Sequence, residues 1–387
     1  MKISAFIYGL TWGGATRRLI SLLEGLCQKG HKIELVVVDP TGPLIKHMPE
    51  EINLAPLKPG LLGPVFPLLS RRTRMSLSKF ALARYLRRCD ADIFLSAANH
   101  AHITALSAKK LSGSTIPFVL RLSSHVTASL KQSKKLSKRI RFLQAKRLYP
   151  LADRVIAVSH GVADDLVDTL HIKRKKVRVV YNPVVTKKLL EMAKDIPEHP
   201  WLQEHRGQRK VPVLVAAGRL RKQKGFHIII KAISAVRHTR PVKLIILGEG
   251  KYRNDLEKLV ERLELKDTVD LPGYVPNPTA FMARADLFCH ASTFEGLPGV
   301  VIEALATGCP VVCTDSPGGA SEILGYGRYG ILVPLGDPNA FAQGILKGLD
   351  KSWNRDELVS RAMDFSQERA VRGYLEVFKE LLKNKNA

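Results

Sequence analysis

Short apolar runs alternate with helix-spaced apolar positions along nearly the whole chain. Residues 3–8 form the first run and read as a strand. A Gly-Gly turn follows, then a helix to about Lys29, with Gly30 placed as its C-terminal cap. Residues 33–38 read as the next strand, and further runs lie at 93–96, 117–120, 154–158 and 177–181, with helical patterns between them. This alternation is the pattern of a parallel sheet covered by helices. It breaks at 182–210, a polar, proline-bearing stretch without a strand. A second series follows at 213–217, 243–247, 269–271, 287–290, 311–314 and 331–333, and residues 354–383 read as all-helical. The expected organisation is α/β in two domains, residues 1–183 and 184–365, with a C-terminal helix over 366–387 able to pack back on the first domain.

A length of 387 residues suits two cores, and the 45% hydrophobic content fills them. No window is long and apolar enough to span a bilayer, and the first apolar run is too short for a signal peptide and lacks a cleavage site. The five cysteines form no CxxC pair and read as buried reduced thiols of a cytoplasmic protein. Charge changes the picture more. Lys and Arg number 61 against 35 Asp and Glu, giving +26, and the excess is lopsided: +20 over residues 1–185 and +6 over 186–387. Such a field attracts polyanions or an anionic membrane. Nucleic acid is the weaker partner, because no recognised binding motif occurs and few aromatics interleave with the basic residues.

Candidate chemistry clusters where strands end. Glu295 and Glu303 lie in F-E-G-L-P-G-V-V-I-E, after the strand at 287–290. A helix begins near Gly299, so Glu295 sits in the loop beyond a strand's carboxyl end, where open α/β sheets bind ligands. The glycines and the helix N-terminus suit an anion, and Glu303, about one turn in, suits a ribose diol. Gly218, Arg219 and Lys224 follow the strand at 213–217 and offer two cations to a diphosphate. Gly248 and Val275 end later strands and are placed at a nucleoside pocket. In the first domain Gly13 and Gly14 open a helix after strand one, and His125 follows the strand at 117–120. Singly, each has a plainer reading: a tight turn, a solvated cation, a structural histidine. Together with the glutamate pair they form one site.

These residues resemble glycosyltransferase family 4. Glu295 and Glu303 match its E-x7-E motif, Arg219 and Lys224 its diphosphate pair, Gly13-Gly14 its N-terminal glycine turn, His125 its active-site histidine and Tyr181-Asn182-Pro183 its hinge. The resemblance implies the GT-B fold, two Rossmann-like domains facing each other across a cleft, and a retaining transfer from a nucleotide-sugar. A uridine donor is the default. No metal or other cofactor is implied: Arg219 and Lys224 would take the leaving charge, Glu295 and the turn of Gly296, Leu297, Pro298, Gly299 and Val300, through its free amides, would hold the sugar, and His125 would orient it. Where many members have Gly-Phe-Gly after the first glutamate, this chain has Gly296-Leu297-Pro298-Gly299, resembling members that act on lipid-linked glycans and lipopolysaccharide. A sugar-nucleotide epimerase or phosphorylase of the same fold is the alternative, and a nucleic-acid binder a more remote one. The letters D-x-D at Asp90–Asp92 precede a strand rather than follow one.

Two segments point to a membrane. Residues 59–70 are apolar but rich in Pro and Gly, with Leu61, Leu62, Phe66 and Leu69 placed for insertion and Arg71, Arg72 and Arg74 behind them. Residues 131–147 read as a helix with Leu136, Ile140 and Leu143 in one stripe beside Lys131, Lys134, Lys135, Lys138, Arg139 and Arg141. The plain reading is a stripe packed on the sheet with a solvated basic face. The membrane reading is a first domain docked on the inner, anionic face of the cytoplasmic membrane, meeting a lipid-carried acceptor.

Overall fold

The computed structural model describes residues 1–11, 13–58, 66–131, 136–204 and 206–386. The chain divides into two compact units, Met1–Pro183 with Gln367–Ala387, and Val184–Ser366. The first holds seven parallel strands: β1 (Lys2–Gly9), β2 (Lys32–Asp39), β3 (Ile52–Pro56), β4 (Ile93–Ser96), β5 (Phe118–Leu122), β6 (Arg154–Ala157) and β7 (Val177–Val179). Their order is β3-β2-β1-β4-β5-β6-β7, so it reverses between β1 and β4. The helices of this unit are α1 (Gly14–Gln28), α2 (Arg71–Leu86), α3 (His102–Ser112), α4 (Val126–Lys131), α5 (Leu136–Leu148) and α6 (His160–Leu170).

The second unit has six parallel strands: β8 (Val213–Ala217), β9 (Lys243–Leu247), β10 (Val269–Gly273), β11 (Leu287–His290), β12 (Val311–Thr314) and β13 (Ile331–Val333). Their order is β10-β9-β8-β11-β12-β13, reversing between β8 and β11. Its helices are α7 (Lys187–Met192), α8 (Phe226–Val236), α9 (Arg253–Arg262), α10 (Pro278–Arg284), α11 (Gly299–Ala306), α12 (Ala320–Ile323), α13 (Pro338–Asp350) and α14 (Arg355–Ala362). The last helix, α15 (Gln367–Asn386), packs in the first unit.

Strands buried on both faces read as continuous apolar runs, and β8, β11 and β12 are buried at every position. The core of the first unit joins strand residues such as Ala5 and Leu35 to Leu22 and Leu26 of α1 and Tyr374 and Phe378 of α15. Gln367 Nε2 fastens α15 to the Ser21 carbonyl at 2.6 Å. Arg121 on β5 is fully buried and donates to Asn182 Oδ1 at 2.6 Å and to the Ala97 carbonyl at 3.3 Å. That guanidinium anchors the chain where it leaves the first sheet.

Several expectations need correction. Strand β3 was not anticipated: it is an edge strand with Asn53 exposed and Pro56 at its end. The strand read at 177–181 stops at Val179. Of the helix read at 131–147, Lys131 ends α4 and the stretch from Leu136 lies in α5; Lys134 and Lys135 lie outside the described residues, as do Leu61 and Leu62. Phe66 is only 8% exposed, so it packs inside the protein and is no insertion residue. Leu136, Ile140 and Leu143 do not pack on the sheet: they are 70%, 48% and 63% exposed. Asp90 and Asp92 both engage Lys2, through its ammonium and its backbone N–H.

Candidate active site

Open α/β sheets bind ligands at the carboxyl ends of strands where the order reverses. In the second unit that point lies between β8 and β11, and the loops after these strands carry Arg219, Lys224 and Glu295. Lys224 Nζ stands 2.5 Å from Glu295 Oε1, and Ser292 Oγ donates to the same oxygen at 2.8 Å. The two loops are tied by backbone as well. Thr293 N–H donates to the Gln223 carbonyl at 2.8 Å, and Gln223 Nε2 donates to the Phe294 carbonyl at 2.9 Å. Gly225 makes the approach feasible: at φ +67 a Cβ there would stand 2.0 Å from the Ala291 carbonyl oxygen.

The electrostatics follow from burial and neighbours. Burial pushes the Glu295 carboxyl up, but Lys224, His290 and the bonds from Lys224 and Ser292 outweigh it and hold the group below its ordinary range. His290 is pushed down to about 4 by burial and by Lys224, so it is neutral at neutral pH. Burial, then Arg221, lowers the Arg219 guanidinium.

Bare backbone layers the neighbouring loops. Gly248, at φ +135, lies so close to Gly218 that a Cβ would stand 2.1 Å from the Gly218 carbonyl oxygen. Gly248 N–H donates to the Gly273 carbonyl at 2.7 Å, and Val275 follows half-buried. Glu295 N–H donates to the Pro317 carbonyl at 3.1 Å. Gly296, Leu297 and Pro298 are buried, Gly299 and Val300 open α11, and Glu303 lies half-buried one turn on. One end of one sheet thus gathers Gly218, Arg219, Lys224, Gly248, Val275, Glu295, the 296–300 turn and Glu303. A cavity of about 580 Å³ opens beside it, with Arg219, Arg221 and Lys222 on one side and residues 249–252 on the other. Sequence reasoning missed Arg221, Lys222, His290 and Ser292; the density of cations in G-R-L-R-K-Q-K-G was the available signal.

His125, Gly13 and Gly14 belong to the first unit. His125 follows β5, and its Nδ1 lies 3.2 Å from Asp165 Oδ2 of α6. Asp165 is buried and also accepts the Val126 and Thr127 N–H groups at 2.5 and 3.2 Å, capping α4. The Ala128 N–H also points at His125 Nδ1, at 3.4 Å, so that ring nitrogen is held from two sides. Asp165 was not foreseen, since nothing local links it to His125. Gly13 has extended backbone, with φ 171, and no described atom lies within 4 Å of where a Cβ would stand at Gly13 or Gly14. Neither backbone strain nor packing demands glycine there, so a turn alone does not explain the pair.

Two family models match, end to end along the chain: Glycosyltransferase Family 4 over residues 12–188, and Glycosyl transferases group 1 over residues 199–365. The chain belongs to glycosyltransferase family 4. One relative of this glycosyltransferase is the N-acetylgalactosamine-N,N'-diacetylbacillosaminyl-diphospho-undecaprenol 4-alpha-N-acetylgalactosaminyltransferase of Campylobacter jejuni, 29% identical over 97% of this chain and 98% of the relative. A lipopolysaccharide core biosynthesis glycosyltransferase of Rhizobium meliloti is 29% identical over 58% of this chain and 64% of its own. Among solved structures, Anabaena HepE in complex with UDP is similar with a TM-score of 0.75 and 22% identity, covering 98% of this chain and 100% of that one. A glycosyltransferase from Rickettsia africae gives a TM-score of 0.76 at 20% identity, covering 99% of both chains. The fold of this family 4 enzyme is GT-B.

Proposed function

We propose that this enzyme moves a hexose or N-acetylhexosamine from a uridine diphosphate sugar to a lipid-linked glycan or lipopolysaccharide acceptor, with retention at the anomeric carbon. The observation that carries the reading is the Lys224–Glu295 pair at the strand-order reversal, beside Arg219 and the bare Gly218 and Gly248 backbones. Arg219 and Lys224 take the negative charge that grows on the leaving diphosphate, a task for preorganised cations. Glu303 accepts from the ribose diol. Glu295 holds donor-sugar hydroxyls, and the pairing with Lys224 keeps it ionised for that role. By the family resemblance His125, which lies beside Asp165, is assigned the orienting of the sugar, and the Gly13-Gly14 turn a part in diphosphate binding. The acceptor class rests on the Leu297-Pro298 variant of the motif and on the relatives whose names specify a diphospho-undecaprenol compound and lipopolysaccharide core biosynthesis. A uridine donor finds support in the UDP bound by the similar Anabaena protein.

The membrane reading gains its support from α5. Its apolar stripe is exposed, and between Asp92 and Asp153 the sequence has eleven Lys and Arg and no Asp or Glu. An exposed apolar stripe in a basic segment is the two-signal form of peripheral attachment, placing the first unit on an anionic leaflet at the inner face of the cytoplasmic membrane. No helix among the described residues is long and apolar enough to cross a membrane. The whole reading is tested by incubating the purified enzyme with UDP-sugars and a polyprenyl-diphosphate glycan. Nucleotide released only with acceptor, and a product whose NMR couplings keep the donor's anomeric configuration, are expected. An isomerised donor would make it an epimerase, and an inverted product would exclude the mechanism.

A further inference from the structure

The strand order of the first sheet also reverses, between β1 and β4, and the side chains gathered at that reversal are not those the sequence singled out for transfer. Tyr8, near the end of β1, is 3% exposed, yet its hydroxyl has no hydrogen-bond partner among the described residues. His100, just after β4, has a buried Nε2 that is likewise without one, and its ring stands 6.4 Å from the Tyr8 ring. Buried polar atoms are costly to leave unsatisfied, so two at one sheet end call for an explanation.

Cations outnumber carboxylates around them. Arg71 Cζ lies 4.5 Å and Arg74 Cζ 5.6 Å from the Tyr8 ring centroid. Burial holds the His100 imidazole at about 4, with Arg71 and Arg141 of α5 adding to the shift, so it is neutral at neutral pH while two guanidinium groups share its surroundings. The carboxylate that meets this group, Asp39, is already engaged by Arg74 at 3.4 Å and by the Thr41 N–H at 3.1 Å. Arg71 also occupies the first position of α2, after the Ser70 cap, and the first turn holds no acidic residue. A helix N-terminus is the positive end of the helix dipole, where a cation is disfavoured and an anion welcome. The arrangement stores unfavourable positive potential beside two vacant hydrogen-bonding groups.

We propose that Tyr8, Arg71, Arg74 and His100 form a second anion site, which takes the phosphate or diphosphate linking the acceptor glycan to its lipid carrier. Three observations set the ligand class. The positive charge exceeds the local carboxylate, which suits a multiply charged group. Arginines fork onto phosphate oxygens, and the Tyr8 hydroxyl donates to a third. Arg141, whose charge reaches His100, belongs to the helix with the exposed Leu136, Ile140 and Leu143 stripe, so that helix lies within electrostatic range of the anion site. The assignment to an acceptor rests on the transferase reading above; the site itself does not.

The test is calorimetry on the full chain, with UDP held at saturation to occupy the donor site, using inorganic pyrophosphate and farnesyl diphosphate as probes. Both bind the wild type, farnesyl diphosphate more tightly. Arg71→Ala, at an exposed side chain, weakens both on the order of tenfold, and Tyr8→Phe, which removes only a hydroxyl, weakens both several-fold. UDP affinity stays the same in both variants. Unchanged diphosphate affinity in two folded variants overturns the site, and equal binding of the two probes overturns its assignment to a lipid carrier. If UDP itself fails to bind the wild type, the uridine donor is wrong, and the same titrations without nucleotide still decide on Arg71 and Tyr8.

Discussion

Lys224 Nζ and Glu295 Oε1 meet at 2.5 Å from loops 71 residues apart, and both side chains are mostly shielded, at 23% and 17% exposure. Replacing Lys224 by Met leaves that carboxylate without its cation. The cost is about 1–3 kcal/mol, less than for a fully buried pair because some solvent remains. The sign with pH is fixed. Glu295 is held below its unfolded value of 4.5, so its contribution is complete above that pH and is lost as pH falls through the lowered value. The melting-temperature gap between wild type and Lys224→Met is therefore widest near neutral pH and closes in acid. Thermal unfolding from about pH 3 to about pH 7 measures it, and a gap that ignores pH would place the effect elsewhere.

The same cation has a second role that separates from stability. If Arg219 and Lys224 stabilise the leaving diphosphate, their interaction strengthens as charge develops. Arg219→Ala and Lys224→Ala should each lower kcat on the order of 10²–10³, with a smaller change in donor affinity. Steady-state kinetics beside UDP calorimetry show the split. Loss of affinity alone, with kcat intact, would make both residues simple donor anchors.

Glu303, one turn into α11, has a narrower task. As the acceptor for a ribose diol it contributes equally before and during reaction, so Glu303→Ala should weaken UDP by roughly 1.5–3 kcal/mol and change kcat little. Titration of the folded variant with UDP is the measurement. An unchanged dissociation constant would remove Glu303 from the nucleoside site.

Two glycines give opposite expectations. Gly248→Ala forces a Cβ to within 2.1 Å of the Gly218 carbonyl at φ +135, which costs about 1–3 kcal/mol and loosens the donor loops. At Gly13 an added Cβ meets no described atom and the backbone is extended, so Gly13→Ala loses only the glycine preference at the cap of α1, about 1 kcal/mol or less. Its effect on kcat/KM then reports on the ligand rather than on the fold. A fully active Gly13→Ala enzyme would return that turn to a purely structural role.

The contrast between what could be read and what could not follows from range. The strands at 213–217 and 243–247 were legible because burial on both faces writes an unbroken apolar run. Strand β3 was not, because an edge position tolerates Asn53 and Pro56 and so erases the run. Glu295 and Glu303 were legible because one loop and one helix fix their spacing locally. Asp165 was not, because its hold on His125 exists only once α6 packs beside α4. The site at Tyr8 and His100 was hidden for the same reason: only the sheet order brings the ends of β1 and β4 together.

The exposure of α5 decides the shape of the membrane test. Apolar positions four and three residues apart would ordinarily face the sheet, yet Leu136, Ile140 and Leu143 face solvent while Ala145 is the buried position of the helix. Phe66 cannot serve as a second insertion point, since it is buried, whereas Leu68 is exposed. The salt-resistant part of binding is therefore assigned to α5, and the salt-sensitive part to basic residues, each contributing about 1 kcal/mol within a Debye length of an anionic leaflet. The purified protein should co-sediment with vesicles containing phosphatidylglycerol, poorly with phosphatidylcholine alone, and be partly released by high salt. Leu136→Ser with Ile140→Ser and Leu143→Ser should abolish the fraction that resists salt and leave the melting temperature unchanged, because these side chains contribute little to the core. Phe66→Ser should instead lower the melting temperature. If the triple variant bound as wild type does, the stripe would have no part in attachment; if neither vesicle type sedimented the wild type, the enzyme would meet its acceptor without docking, and the transfer chemistry would be untouched by that result.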